Sequence, residues 1–147
     1  MKLGTIGIWT SYRPFGIERA GEAAKVIEDL GYGTWWVGSS PHVPEVRPIL
    51  EATTTLVAAT GILNVWANRP AETAAEDAAV SAEFPGRFVL GIGIGHPEAT
   101  SDYRRPLTAM RDFLDGLDAS SAPPPRARRA ARGSARRRAR RRSRASS

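Results

Sequence analysis

The sequence of 147 residues has no cysteine, two histidines and no apolar run long enough to cross a membrane. Without cysteine, the chain can form neither disulfides nor a thiolate metal site. The N-terminus lacks a basic segment followed by a long apolar core, so no signal peptide is expected. These absences predict a cytoplasmic protein that has no membrane segment and no metal site.

The last 29 residues lack almost everything that a folded domain needs. Residues 119–147 use only Arg, Ala, Ser, Pro and Gly, and eleven of them are arginine. Because such a segment cannot bury apolar surface, we predict a disordered tail. Its five residue types are those of GC-rich codons, which indicates an out-of-frame, frameshifted extension. The alternative is non-specific nucleic-acid binding, in which arginines neutralise phosphates without aromatic side chains to stack on bases.

Charge divides the chain at the same place. Residues 1–118 carry two lysines and eight arginines against 15 acidic residues, a net charge of −5, whereas the tail carries +11. The high sequence pI of about 10.7 therefore reflects the tail. We predict one small domain over residues 1–118 and a separate tail over 119–147, and we look for function in the first.

Four strand–helix units follow one another before the tail. The predicted strands are Leu3–Trp9, Thr34–Val37, Ile62–Ala67 and Arg87–Gly95, and the predicted helices cover residues 17–30, 49–60, 70–82 and 107–117. This order implies a parallel sheet with right-handed crossovers. An open doubly wound sheet and a (β/α)₈ barrel both fit, and four units make half of a barrel. The missing phosphate-binding loop after the first strand argues against the doubly wound sheet.

Two of the predicted helices have recognisable inner faces. The third has small residues at helical spacing, and the fourth has larger apolar residues at the same spacing. The small residues are Ala71, Ala74, Ala75, Ala78 and Ala82, and the larger ones are Leu107, Met110, Leu114 and Leu117.

Ligands of both candidate folds bind at the carboxyl ends of the strands. His42 and His96 fall in these loops, and Asn64 is a polar residue within a strand. Glycines 91, 93 and 95 leave one strand face without side chains, which suits either a flat ligand ring or close packing. Motifs for hydrolysis, phosphoryl transfer and zinc chemistry are missing from the sequence. The remaining pattern suits a bound aromatic cofactor that supplies the chemistry.

Three segments resemble the luciferase-like monooxygenase family, in its coenzyme F420-dependent branch. Residues 85–96, PGRFVLGIGIGH, resemble the fourth-strand signature, and residues 30–38, LGYGTWWVG, resemble the second strand. Residues 60–65, followed by Asn68-Arg69-Pro70, resemble the third strand. The resemblance covers residues 1–118 and implies the N-terminal half of a (β/α)₈ TIM barrel.

The resemblance also implies an oxidoreductase that binds F420, or alternatively FMN, and transfers hydride or inserts oxygen into a small-molecule substrate. It implies a strand bulge with a non-proline cis peptide, which we place at Asn64–Val65. His42 is the candidate catalytic residue, although Ser39-Ser40 stands where many F420 enzymes have an Asp-His pair. The candidate cofactor contacts are Ser39, Asn64, Val65, Gly93, Gly95 and His96.

A half barrel would leave two unpaired strand edges, and such edges can pair with another chain. We therefore expect that two copies could associate through the open sheet edges. We also expect the isolated half to bind its cofactor weakly, because the later half of the family barrel supplies much of the phosphate site.

Overall fold

Four βα units run through the computed structural model, which describes residues 1–121. Short 3₁₀ helices at Ile17–Arg19, Val43–Val46 and Pro97–Ala99 supplement the main elements. The helices are α1 (Ala20–Asp29), α2 (Arg47–Ala52), α3 (Pro70–Glu83) and α4 (Pro106–Ser121). The strands are β1 (Gly7–Thr10), β2 (Thr34–Val37), β3 (Val57–Thr60), β4 (Leu63–Asn64), β5 (Phe88–Val89) and β6 (Ile92–Gly93).

The strands form a parallel sheet in the order β1-β2-β3-β5, and β4 pairs with β6 beyond it. Each strand lies beside the strand of the next unit, as short right-handed crossovers require. The predicted α/β fold with a parallel sheet is confirmed. β1 begins at Gly7 rather than at Leu3, because Leu3 contacts β2 through its carbonyl, which accepts from Thr34 Oγ1 over 2.6 Å, outside the strand ladder.

The sheet has one covered face and one open face. Ile8, Trp35, Ala58 and Phe88 are in register, and they pack in the core against the helices. The neighbouring register row, Trp9–Trp36–Ala59–Val89, faces the opposite way. Trp35 is fully buried, whereas Trp9 is 68% exposed. In a closed barrel this second row would line the interior.

A β-bulge interrupts the third strand. Ala59 pairs with Val89 and Leu63 with Ile92, so three residues of one strand oppose two of the other. The predicted single strand over 62–67 was wrong, because pairing begins at Val57 and the bulge falls at residues 60–62. The non-proline cis peptide is Gly61–Ile62, which corrects the expected position at Asn64–Val65 for the same reason.

The second helix ends eight residues earlier than predicted, at Ala52. Thr53 leaves the helix with extended backbone angles, and its hydroxyl donates to the carbonyl of Ile49 over 2.7 Å. The apolar residues of 56–60 continued the helical spacing by coincidence. Val57–Thr60 form β3, where every residue is buried, and Leu56 lies in the loop before it.

Two charged side chains hold the loop between α2 and β3. Glu28 accepts from the amides of Thr55 and Leu56 over 2.6 and 2.8 Å. Arg87 donates through Nε to the carbonyl of Leu56 over 2.7 Å and through a terminal nitrogen to Thr53 Oγ1 over 2.7 Å. Burial lowers the pKa of Arg87, and Glu28 opposes that shift. Arg87, part of the fourth-strand signature, therefore stabilises the amino end of the sheet, away from the carboxyl-end loops.

The inner faces of α3 and α4 differ from the predicted ones. On α3, Ala74 is buried, together with Thr73 and Val80, while the other four predicted alanines are exposed. On α4, Phe113 is the buried residue, with Met110 and Leu117 partly covered. Leu107 and Leu114 are 77% and 43% exposed. The periodicity located both helices, but the neighbouring elements determined which side each helix buries.

α4 continues to Ser121, three residues into the segment predicted as tail. The remaining predictions for that segment concern residues 122–147, which lie outside the described part of the chain. Within residues 1–121, none of the helices has both the length and the hydrophobicity that a bilayer span requires.

Candidate functional site

Three hydrogen bonds tie together the four loops at the carboxyl edge of the sheet. Each bond joins loops that follow neighbouring strands, so the loops are connected in sheet order. The bonds are Arg13 Nε to Ser39 O (3.1 Å), His42 Nδ1 to Asn68 Oδ1 (2.8 Å) and Trp66 Nε1 to Ile94 O (2.7 Å). Direct contacts, and not strand polarity alone, therefore hold these loops at one edge of the sheet, as predicted.

His42 is exposed but firmly held. Its backbone amide donates to Glu45 Oε2 over 2.8 Å, and its carbonyl accepts from the amide of Glu45 over 3.1 Å at the start of the Val43–Val46 turn. Its ring meets Asn68, whose Nδ2 donates to the backbone carbonyl of Asn64 over 2.8 Å. The predicted catalytic histidine is therefore linked through Asn68 to the end of β4.

One end of the Asn64 side-chain amide is hydrogen-bonded locally. The side chain is 9% exposed, and its Oδ1 accepts from the amide of Trp66 over 2.9 Å. Its Nδ2 makes no hydrogen bond within residues 1–121. The neighbouring Val65 is also buried, and its amide donates to the carbonyl of Gly93 over 3.1 Å. Both residues were predicted as cofactor contacts, and both lie directly after the bulge.

The glycines of the fourth strand face the bulge. A Cβ added to Gly91 would overlap the carbonyl oxygen of Thr60, and one on Gly93 would come within 2.8 Å of Ile62 Cγ1. Gly95 has φ +66°, and its Cβ would approach Asn64 Nδ2 to 2.9 Å. Of the two interpretations left open by the sequence, close packing is the one that these distances support. The glycines make room for the third strand.

The Trp9 ring lies beside the bulge on the open face of the sheet. Trp9 Nε1 donates to the carbonyl of Gly61 over 2.8 Å. Its ring lies against Gly38, where an added Cβ would be 2.8 Å from Trp9 Cζ2. A Cβ on Gly61 would in turn come within 3.3 Å of Trp36 Cβ. The open face of the sheet thus carries the Trp9 ring as an apolar floor at the height of the carboxyl-end loops, whereas the Trp36 indole lies toward the amino end, where a Cβ on Gly7 would come within 3.1 Å of Trp36 Nε1.

The loop after β2 has an unusual backbone. Ser39 and Ser40 have φ of 66° and 51°, values that side-chain-bearing residues adopt infrequently. The bond from Arg13 to the Ser39 carbonyl helps to hold this conformation. The turn leaves the Ser39 side chain exposed beside the floor.

Tyr12 has a buried hydroxyl beneath the His42 loop. Within the described residues this hydroxyl has no hydrogen-bond partner. Burial raises the pKa of Tyr12 to about 12, and the nearby Glu45 acts in the same direction, although Oε2 of Glu45 is already engaged by the His42 amide. Tyr12 therefore stays neutral at physiological pH and keeps a proton that it can donate.

His96 is exposed at the start of the Pro97–Ala99 turn, and its ring makes no hydrogen bond within residues 1–121. Nothing in the structure brings it to His42. Three residues of the loop network had no predicted role. These are Tyr12, Arg13 and Asn68; Asn68 alone carried a signal, because it belongs to the segment resembling the third strand. Among the described residues, no group of three or more His, Asp or Glu side chains is placed to ligate one metal ion.

Comparison with known proteins gives a family match and a structural match. The family model described as luciferase-like monooxygenase matches residues 2–146. The crystal structure of apo-MsnO8 superposes with a TM-score of 0.55 at 22% sequence identity. That superposition covers 74% of this chain and 38% of the MsnO8 chain, so this chain spans well under half the length of the solved protein. A search of curated proteins gave no match. The two matches confirm the predicted luciferase-like monooxygenase family and the partial barrel, while the F420-dependent branch stays a prediction.

Proposed function

This chain belongs to the luciferase-like monooxygenase family, and we propose that it forms the N-terminal half of a flavin- or deazaflavin-dependent oxidoreductase that acts on a small-molecule substrate. The family supports oxidoreductase activity with such a cofactor. The choice of F420 over FMN is our own, and it rests on the three segments that resemble the F420 branch. When bound, either group would supply hydride-transfer chemistry, or oxygen activation in the case of reduced flavin.

The residues present fit the ring system of such a cofactor. A tricyclic ring needs a flat apolar floor with polar groups at its edge. Trp9 and the bulge residue Ile62 provide the floor, and Asn64 Nδ2 is a donor that makes no hydrogen bond within residues 1–121. Ser39, Val65, Gly93, Gly95 and His96 remain proposed contacts. The glycines would act through the bulge, which they allow to pack closely.

His42 is the residue that we propose to exchange a proton with the substrate. It is held on two sides, by Glu45 and by Asn68, while its Nε2 makes no hydrogen bond within the described part of the chain. A histidine fixed at a carboxyl-edge loop with one free ring nitrogen is placed for acid–base work.

Ring binding is testable on the purified chain. When F420 or FMN is titrated with the chain, the fluorescence of the cofactor ring should be quenched in a saturable way. Binding should be weak, because this chain provides only half of a barrel, and F420 should bind more tightly than FMN. Ile62→Asp places a charge in the floor and should abolish the quenching. Val26→Asp is the matched control, because Val26 is 57% exposed on α1. An absence of saturable quenching, or the same loss in both variants, would contradict the proposal.

The exposed apolar side chains support association with a second copy. Every large hydrophobic residue that is exposed within residues 1–121 lies before residue 31 or after residue 106. They belong to the first and last βα units and include Ile6, Trp9 and Leu107. A two-fold axis parallel to the strands would pair the β1 edge of one copy with the β5–β6 edge of the other, in parallel.

A second activity, non-specific nucleic-acid binding, rests on the eleven arginines of the tail. The expected result is binding of mixed-sequence duplex DNA that weakens steeply with salt. A chain ending at Ser121 should lose this binding. Retention of DNA affinity by the shortened chain would refute a role for the tail.

A further inference from the structure

We propose that Asn68 is a positioning residue that fixes the tautomer of His42, with the proton on Nδ1 and the lone pair on Nε2. The structural part of this proposal concerns only the chain itself. Its catalytic consequence rests on the proposed function.

The orientation of the Asn68 amide follows from its partners. The backbone carbonyl of Asn64, 2.8 Å away, can only accept a hydrogen bond, so the group facing it must be the Asn68 NH₂. The other end of the amide, 2.8 Å from His42 Nδ1, must then be the oxygen. Because an amide oxygen can only accept, Nδ1 must carry the hydrogen. In a neutral imidazole, that leaves the lone pair on Nε2.

The backbone carbonyl of Asn64 is itself held in place. Asn64 pairs with Gly93 in the β4–β6 ladder, and its side-chain oxygen holds the amide of Trp66. At the other end, Glu45 holds the backbone of His42, because the His42 amide donates to Glu45 Oε2 and the His42 carbonyl accepts from the Glu45 amide. The tautomer of a histidine in the second loop is therefore set by a strand of the third unit.

The consequence for chemistry concerns the free nitrogen. With the lone pair on Nε2, His42 can accept a proton from a substrate hydroxyl. The opposite tautomer would present an N–H there and could not. An amide suits this task, because it fixes the tautomer without adding a charge beside the imidazole.

Nitrogen-15 NMR of the full chain tests the tautomer without any cofactor. The chain has two histidines, so long-range ¹⁵N–¹H spectra contain two imidazoles, and a His96→Gln variant assigns them. At alkaline pH, where imidazoles are neutral, we expect His42 Nδ1 to resonate as an N–H nitrogen and Nε2 as a bare nitrogen. His96 is the internal control and should show the Nε2–H form that free histidine favours. A His42 spectrum like that of His96 would overturn the proposal.

Two substitutions at Asn68 separate positioning from folding. Asn68→Leu removes both polar groups at similar volume and should shift the His42 tautomer ratio roughly two- to tenfold toward Nε2–H, the range that one hydrogen bond supports. Asn68→Asp keeps an acceptor for Nδ1–H and should retain the wild-type pattern. An unchanged ratio in Asn68→Leu, or an Nε2–H form in Asn68→Asp, would refute the role of Asn68. The wild-type spectrum alone decides the tautomer if a variant fails to fold.

Discussion

Replacing Glu28 by glutamine should destabilise the fold through a single side chain at the end of α1. The Glu28 carboxylate accepts from three consecutive amides, those of Thr54, Thr55 and Leu56, and from the Thr55 hydroxyl. These bonds fasten the α2–β3 loop to α1. Glutamine has nearly the same shape, but it loses the charge and introduces an NH₂ group that would face amide donors.

The pKa of Glu28 gives the size of the effect. Burial by itself would raise this pKa, but the hydrogen bonds from Thr55, Leu56 and Thr54 outweigh burial and lower it from 4.5 to about 2. A lowering of this size corresponds to at most ~3 kcal/mol of stability. Because Glu28 is only half-buried, we expect a loss of about 1 to 2 kcal/mol in Glu28→Gln near neutral pH.

The lowered pKa of Glu28 also determines how its contribution to stability depends on pH. The folded-state pKa lies below that of the unfolded chain, so the stabilisation is fully present above about pH 5. It declines as the pH falls from the unfolded value of 4.5 toward the folded value of about 2, where both states become protonated. The difference between wild type and Glu28→Gln should therefore shrink in acid and vanish near pH 2.

Urea unfolding followed by tryptophan fluorescence measures this difference, because Trp35 is fully buried in the native state. Glu22→Gln is the matched control. Glu22 lies on the same helix, and its side chain is 74% exposed in a surface pair with Arg19, so its loss should stay within about 0.5 kcal/mol. Equal unfolding midpoints for the two variants at neutral pH, or a Glu28→Gln deficit that persists in acid, would refute the reasoning.

Three further predictions concern packing and assembly. Gly91→Ala would force a Cβ into the Thr60 carbonyl, so thermal unfolding should show a loss of stability larger than that of the control Gly31→Ala. The control should lose roughly 1 kcal/mol, because the space around Gly31 is open and only its φ of +86° is unfavourable. Equal losses of stability would contradict the packing role of Gly91. Arg87→Lys loses the forked donors and should cost about 1 to 3 kcal/mol in urea unfolding, and no measurable loss would refute the clamp. Light scattering should find a dimer that Leu107→Glu disrupts and the exposed α3 variant Ala78→Glu preserves, while a monomeric wild type would refute association.

How far the sequence predicted the fold is clearest in the third unit. Apolar spacing located α3 and the start of α4 correctly, because amphipathic helices express their period within a few turns. The same rule carried α2 through residues 53–60, where Leu56 and Ala59 matched the helical spacing although Leu56 lies in a loop and Ala59 in β3. Two side chains that are distant in the sequence, Glu28 and Arg87, end α2, and the apolar spacing of the α2 segment contains no information about them.

The site shows the same division. The carboxyl-end rule predicted that four loops lie at one edge of the sheet, and the structure connects these loops there. The rule could not predict the hydrogen-bond partner of His42. Asn68 lies 26 residues away in the chain, and it meets His42 only because neighbouring parallel strands end at one edge. The rule also left the glycines of residues 91–95 undecided between packing and ligand approach.

The sequence by itself determined the order of the elements, the parallel sheet, the edge that carries the proposed site and the family. These depend on local periodicity and on strand polarity, which are properties of a short segment or of chain order. Only the tertiary structure decided where the bulge falls, which face of α3 is buried, and that Asn64 and Asn68 together orient His42. Those features arise from contacts between residues far apart in the chain, whose geometry exists only once the strands are in register.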